Sequence, residues 1–254
     1  MKKVIKNRLG IIEDKYGANF PFAQHKQNDY QKNSLGYRSD EFKKNHDGLH
    51  ILFSGCSATY GEGLEENEIW AKQVYEKISS NQPTSGFYNI AVPGMGIIYI
   101  VFHIFKYINN FNKPDIIFIN FPTSGRFLSY DKKKKQHYYE NFYANTQRVA
   151  NNLLEIIPVL EYQYLYMLEQ YCKDSGIMLI YGTWGKGYEF KNDTTLKSFI
   201  DIDVEKKIVN YLNNNIIEKS DLLARDNMHY GPIYHKLWAE MMYNEYMNRK
   251  NNDN

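Results

Sequence analysis

The sequence predicts an α/β fold: a three-layer, doubly wound (flavodoxin-like) parallel sheet of about five strands with helices on both faces. Three observations predict it. Several short runs are apolar throughout rather than alternating, which is the pattern of strands buried on both sides. These runs take turns along the chain with longer amphipathic stretches, as β-α units feeding a parallel sheet do. The 254 residues, 43% hydrophobic and 24% charged, suffice for one packed domain of this kind and exclude a globally disordered chain.

Residues 1–46 show little periodicity and are expected to form an irregular arm packed on a single domain spanning 47–254. Within the arm, Asn33-Ser-Leu-Gly-Tyr-Arg38 carries turn chemistry around Gly36. His50–Gly55 is an apolar run closed by glycine, the first strand. Glu65–Ser79 places Ile69, Trp70, Val74 and Ile78 on one helical face. Phe87–Val92 reads as a second strand, closed by Pro93-Gly94, and Gly96–Phe111 as an apolar helix. Pro114–Asn120 is the third strand, stopped by Pro122. Asp131–Lys135 is a charge run that reads as a solvated loop. Asn145–Lys173 reads as a long helix with a kink near Pro158. Ile177–Tyr181 is a fourth strand, Ser198–Asp203 a weaker fifth, and Tyr230–Arg249 a closing helix.

Composition removes several functions. Lys+Arg 31 against Asp+Glu 29 is not the charge balance of a nucleic-acid binder. Two cysteines, Cys56 and Cys172, make no disulfide framework or cysteine zinc site, and the scattered histidines lack ligand spacing, so no metal or other cofactor is expected. No apolar stretch is long enough for a membrane span, and none follows the basic N-terminus as in a signal peptide, so a cytoplasmic protein is expected. The aromatic content, 16% with 23 Tyr, suits sugar-facing clefts and ordinary half-buried positions alike. Oligomeric state is left open.

In a doubly wound sheet the ligand sits outside the carboxyl ends of the strands. Ser57 lies there, directly after Gly55 and the first strand. It reads either as a nucleophile or as a serine that hydrogen-bonds within its turn. A nucleophile needs a base, and the base needs an orienting group. Two histidines have an aspartate three positions earlier: Asp47–His50 and Asp226–His229. The first pair falls at the amino end of the first strand, on the wrong side of the sheet. The second lies in a loop before the final helix, within reach of the carboxyl edge. His235 falls inside that helix and reads as an ordinary helix residue.

Phe53-Ser-Gly-Cys-Ser-Ala-Thr-Tyr-Gly-Glu-Gly-Leu64 resembles the first block of the SGNH/GDSL hydrolases. Asn89-Ile-Ala-Val-Pro-Gly94 resembles their second block, and Asp226-Asn-Met-His229 their last, in the same order. Asn33–Arg38 is similar to a stretch that precedes the first block in some carbohydrate-associated members. The resemblance spans roughly residues 33–245 and rests on these short blocks. It implies that Ser57 is the nucleophile, His229 the general base and Asp226 its orienting acid. The N–H groups of Ser57 and Gly94 would form the oxyanion hole.

The sequence departs from the pattern twice. Cys56 replaces the aspartate before the nucleophile and is expected to be buried away from it as a small apolar residue. The third block's asparagine is missing: counting along Ile119-Asn-Phe-Pro-Thr-Ser-Gly-Arg126 puts Thr123 or Ser124 near its place, with Asn120 too early. Thr123 is taken as the third oxyanion donor. Arg126, Tyr60 and Trp184, with Tyr188, are candidate substrate contacts. The resemblance implies a serine esterase acting on a small acyl, most plausibly acetyl, ester of a small molecule or glycan. An O-acyltransferase with the same triad and a non-catalytic glycan-binding module on the same fold remain the alternatives.

Overall fold

The computed structural model describes residues 30–131, 136–141, 151–184, 196, 198–199, 211 and 219–252. Thirteen elements are built from them. Their order is β1 (Ile51–Gly55), α1 (Ser57–Tyr60), a 3₁₀ turn (Glu66–Glu68), α2 (Trp70–Ser79), β2 (Tyr88–Asn89), α3 (Ile97–Phe111) and β3 (Ile116–Phe121). Then come β4 (Arg126–Asp131), β5 (Gln136–Asn141), α4 (Asn151–Ser175), β6 (Met178–Thr183), α5 (Lys219–Leu222) and α6 (Pro232–Asn252). The sheet is parallel with strand order β2-β1-β3-β6.

Both faces of this sheet are covered, and alternate strand residues serve each face. Ile51, Phe53, Ile116, Phe118 and Ile180 pack with Trp70, Val74 and Ile78 of α2 and Trp238 and Met242 of α6. Leu52, Ile117, Ile119, Leu179 and Tyr181 pack with Ile100 and Ile104 of α3 and Leu165 and Leu168 of α4. The uninterrupted apolar runs therefore have the cause read from them: neither face of the strand meets water. Phe53 and Phe118 stack across adjacent strands with ring centroids 5.3 Å apart, at the centre of one layer.

Several boundaries differ from expectation. The second strand shrinks to Tyr88–Asn89. The expected fifth strand is present among the described residues only as a bridge between Tyr181 and Phe199, with 200–203 outside them. Of the charge run Asp131–Lys135 expected as a loop, Asp131 ends strand β4 and 132–135 lie outside the described residues. On either side of that run, β4 and β5, for which no strand was expected, pair antiparallel. The long helix is described from Asn151 and runs through Pro158; its expected start at Asn145 lies outside the described residues. Residues 30–48 contain neither helix nor strand, and 1–29 lie outside the described residues.

Two histidines found by their residue type have structural work. His50 does not pair with Asp47: its N–H donates to Asp115 (2.8 Å), and its ring contacts Lys113 O (3.2 Å) and Tyr107 Oη (2.9 Å). Burial pushes its pKa down to about 4. His235 is fully buried on α6, and its Nδ1 accepts the first N–H of α2, from Trp70, at 3.1 Å. It is thus a cap for another helix rather than an ordinary helix residue.

Truncating Phe118 to Ala removes a fully buried ring between strands and helices. The expected loss is about 3–5 kcal/mol in urea unfolding, against less than about 0.5 kcal/mol for Met167→Ala at an exposed position of α4.

Candidate active site

The chain passes from β1 to β2 on one side and then crosses to β3 on the other, so the topological switch lies between β1 and β3. A cavity of about 330 Å³ opens there, at the carboxyl ends. The β1 end contributes Cys56 and Ser57, the β3 end Asn120, Thr123 and Arg126, and the end of β6 Trp184. The loop before α6 contributes Met228, His229 and Tyr230.

Ser57 opens the single turn of α1, straight after an extended Cys56 (φ −104°, ψ −150°). The first helical hydrogen bond is from Thr59 N to Cys56 O (3.0 Å), so the Ser57 and Ala58 N–H groups precede the ladder. The turn is tight because β1 ends against β3: a Cβ on Gly55 would lie 2.7 Å from Asn120 O and 2.1 Å from Thr59 Oγ1. Ser57 Oγ lies 4.0 Å from Cys56 Sγ. Cys56 is buried, but it borders the same cavity as Ser57 rather than facing away from it.

The Asp226–His229 spacing is explained by one carboxylate doing two tasks. Asp226 Oδ1 accepts the N–H groups of Met228 (2.9 Å) and His229 (3.0 Å), which folds the loop over a left-handed Asn227 (φ 59°). Its Oδ2 lies 2.6 Å from His229 Nδ1. Burial alone pushes the Asp226 carboxyl up, but the His229 and Met228 N–H groups and the His229 ring outweigh it and hold it below the usual range.

The other ring nitrogen was expected to reach Ser57. His229 Nε2 instead lies 3.2 Å from Glu62 Oε2, and no hydrogen bond joins the ring to Ser57 Oγ. The ring is thus bracketed by two carboxylates, while Ser57 and His229 share the cavity wall.

The remaining predicted residues separate. Thr123 borders the cavity, whereas Ser124 is turned away, its hydroxyl donating to the buried Glu161 of α4. Asn120, thought too early in the strand, also borders the cavity, with Oδ1 buried and unpartnered. Arg126 borders it with a buried, unpartnered Nε, and Trp184 closes one side edge-on to Tyr230 (5.2 Å). Tyr60 does not border the cavity. It is buried edge-to-face against Tyr30 (5.7 Å), and burial pushes its hydroxyl up to about 12. Gly94 is half-buried in the loop after β2 and is not part of the cavity wall. Tyr188 lies outside the described residues.

Glu62 and Glu161 were missed by sequence reasoning. Glu161 carried a usable signal: it falls on the buried stripe Ile157–Leu165–Leu168–Cys172 of α4, where a carboxylate needs a partner. Its Oε1 accepts Gly125 N–H at 3.0 Å, so it ties the loop carrying Thr123 to α4. Glu62 showed only its flanking glycines. Among the described residues no cluster of His, Cys, Asp or Glu could hold a metal ion, and no helix is long and apolar enough to cross a membrane.

No family model and no curated protein matches the chain. Among solved structures it is similar to an acetyl xylan esterase from the rumen bacterium Butyrivibrio proteoclasticus (13% identity, TM-score 0.48, 80% of this chain and 64% of that one). It is also similar to a psychrotrophic esterase from Pseudoalteromonas sp. (14%, TM-score 0.45, 79% and 98%). A third is a two-domain esterase active on acetylated mannans (15%, TM-score 0.45, 76% and 46%). The chain thus spans less than two thirds of the length of the first and third.

Burial pushes the Glu161 carboxyl up, only partly offset by the Ser124 hydroxyl and Gly125 N–H. A carboxyl with a raised folded-state pKa contributes stability that is present in acid and is lost as pH rises through that pKa. Glu161→Gln removes this ionisation and keeps groups for both hydrogen bonds. The stability difference, variant minus wild type, is therefore expected to grow from pH 5 to pH 8 in urea unfolding; a constant difference would contradict the assignment.

Proposed function

We propose that the chain is a serine ester hydrolase, with Ser57 as nucleophile, His229 as base and Asp226 as its orienting acid. The observation that carries this reading is that Ser57 and a carboxylate-held histidine border one cavity at the β1/β3 switch. In this mechanism Ser57 Oγ attacks the ester carbonyl while His229 Nε2 takes its proton. Asp226 holds the Nδ1–H tautomer and stabilises the charged ring. The Ser57 N–H and the Thr123 hydroxyl receive the oxyanion, with the Asn120 amide as a further donor beside Thr123; Gly94, outside the cavity wall, is given no part in it. His229 then returns the proton to the leaving alcohol, and water repeats the sequence on the acyl-enzyme.

A cavity of about 330 Å³ suits a small acyl group, and acetyl is the natural choice. The walls of Trp184 and Tyr230 offer flat apolar surface to a sugar ring, and Arg126 offers charged donors to its substituents. An acetylated sugar is therefore the proposed substrate. An O-acyltransferase would use the same site with a sugar hydroxyl in place of water. A second reading, a glycan-binding module that does not hydrolyse, is favoured by one observation: His229 Nε2 faces Glu62 instead of Ser57.

Hydrolysis of p-nitrophenyl acetate decides between these. Ser57→Ala and His229→Ala are each expected to lower kcat by about 10³-fold or more, and the double variant to be little worse than either single one. Thr123→Val is expected to lower kcat by about tenfold or more. Activity surviving Ser57→Ala would exclude this serine. An inert wild type that still binds an acetylated xylo-oligosaccharide would establish the binding module.

A further inference from the structure

We propose that Glu62 is a positioning residue that holds the His229 ring off Ser57 and must release Nε2 before the serine can be activated. The inference rests on the triad reading above and adds to it a state in which the triad is not assembled. With Asp226 on Nδ1 at 2.6 Å and Glu62 on Nε2 at 3.2 Å, both ring nitrogens face acceptors. An imidazole satisfies both only by carrying a proton on each nitrogen. Such a ring has no lone pair for the Ser57 proton. To act as base it must lose the Nε2 proton to water and turn Nε2 from Glu62 to Ser57 Oγ, while Nδ1–H stays on Asp226.

The contact is built by the fold rather than being a chance meeting of surface side chains. Glu62 sits on a loop held from three directions. Arg38, itself buried, donates to Gly61 O (2.7 Å) and Leu64 O (2.8 Å), on either side of Glu62. Tyr30 Oη accepts the Gly63 N–H at 2.7 Å, and the Arg38 guanidinium lies 3.9 Å over the Tyr30 ring. From the other side, Arg225 N donates to Gly63 O (3.0 Å), and the Arg225 guanidinium forks onto Glu68 (2.8 and 3.1 Å). Gly63 has φ +75°, and a Cβ there would lie 3.0 Å from Asp226 Cγ, so the Glu62 loop and the Asp226 loop pack without a gap. The segment Asn33–Arg38 gains its role here: Asn33 Oδ1 accepts the Leu35 and Tyr37 N–H groups, folding the turn that aims Arg38 at this loop. With the backbone fixed, the exchange of partners falls to the side-chain torsions of Glu62 and His229, both largely shielded at 17% and 27% exposure.

The consequence is a pH dependence with a defined sign. Around the ring stand Asp226 and Glu62 as anions, Arg126 as a cation across the cavity, Tyr230, and the buried His235 of α6. Removing the Glu62 charge leaves all the others in place and disfavours the doubly protonated ring. In Glu62→Gln the acid limb of kcat/KM on p-nitrophenyl acetate is therefore expected to move about one pH unit lower. Activity on that limb rises by up to about tenfold as a result. The His229 ring, followed by proton NMR and assigned with His229→Gln, is expected to titrate correspondingly lower in Glu62→Gln than in wild type. Glu62→Ala serves as a second variant should the glutamine chain fold poorly. An acid limb and a ring titration that both stay in place would overturn the inference, as would lost activity with an unmoved limb, which marks Glu62 as loop support alone. If hydrolysis survives Ser57→Ala, or the wild type is inert, the triad reading fails and the ring titration alone decides the role of Glu62.

Discussion

The close pairing of β1 with β3 is the constraint on which the rest depends. In that ladder Gly55 stands opposite Asn120, and Gly55 has no room for a side chain against Asn120 O and Thr59 Oγ1. Because the ladder closes at that pair, the chain leaving β1 delivers Ser57 to one cavity, and the end of β3 and the chain after it deliver Asn120 and Thr123 to the same cavity. Strand crossover opens the space between them: β2 lies beyond β1, and β6 beyond β3. The two apolar layers on either face hold this ladder rigid, so a polar cavity at its end does not compromise the core.

Around the cavity, carboxylates fix the polar loops. Asp226 folds its own loop through two N–H groups and holds the His229 ring with its second oxygen. Glu161 reaches from α4 to the Ser124 hydroxyl and the Gly125 N–H, which points Ser124 inward and leaves Thr123 on the cavity. Glu62 completes the bracket on His229 from a loop that Arg38, Tyr30 and Arg225 tie down. Asp226 and Glu62 have their charge met by donors or by a ring, which is how a partly buried carboxylate remains tolerable near a core; for the fully buried Glu161 the two donors offset burial only in part.

Local pattern shows in the fold wherever a single element accounts for its own residues. Strands β1, β3 and β6 were legible because an apolar run of five or six residues ended by glycine, proline or a polar turn has few other readings. The hairpin β4–β5 was not, because Arg126–Asp131 and Gln136–Asn141 gain their order from pairing with each other, and the charge run between them masks it. Phe87–Val92 looks like a full strand by composition, yet the strand is Tyr88–Asn89 on the outer side of β1, with Ile90 and Val92 adding single N–H bonds to Phe53 O and Gly55 O.

The placement of Ser57 and of the Asp226–His229 pair at the carboxyl edge was legible from the chain alone, since a serine after a buried strand and an aspartate three residues before a histidine are local features. So was the three-layer arrangement, because alternation of buried strands and amphipathic helices has one economical packing. The partner of His229 Nε2 was not nameable, nor was the displacement of Tyr60 from the cavity, the Glu161 carboxylate that turns Ser124 away from it, or the cap that His235 supplies to α2. Each of these joins residues far apart in sequence: Glu62 with His229, Tyr30 with Tyr60, Glu161 with Ser124, His235 with Trp70. Spacing along a chain constrains only what one turn or one element brings together. Which carboxylate meets which donor across the fold is set by how the layers pack, and only the tertiary structure decides it.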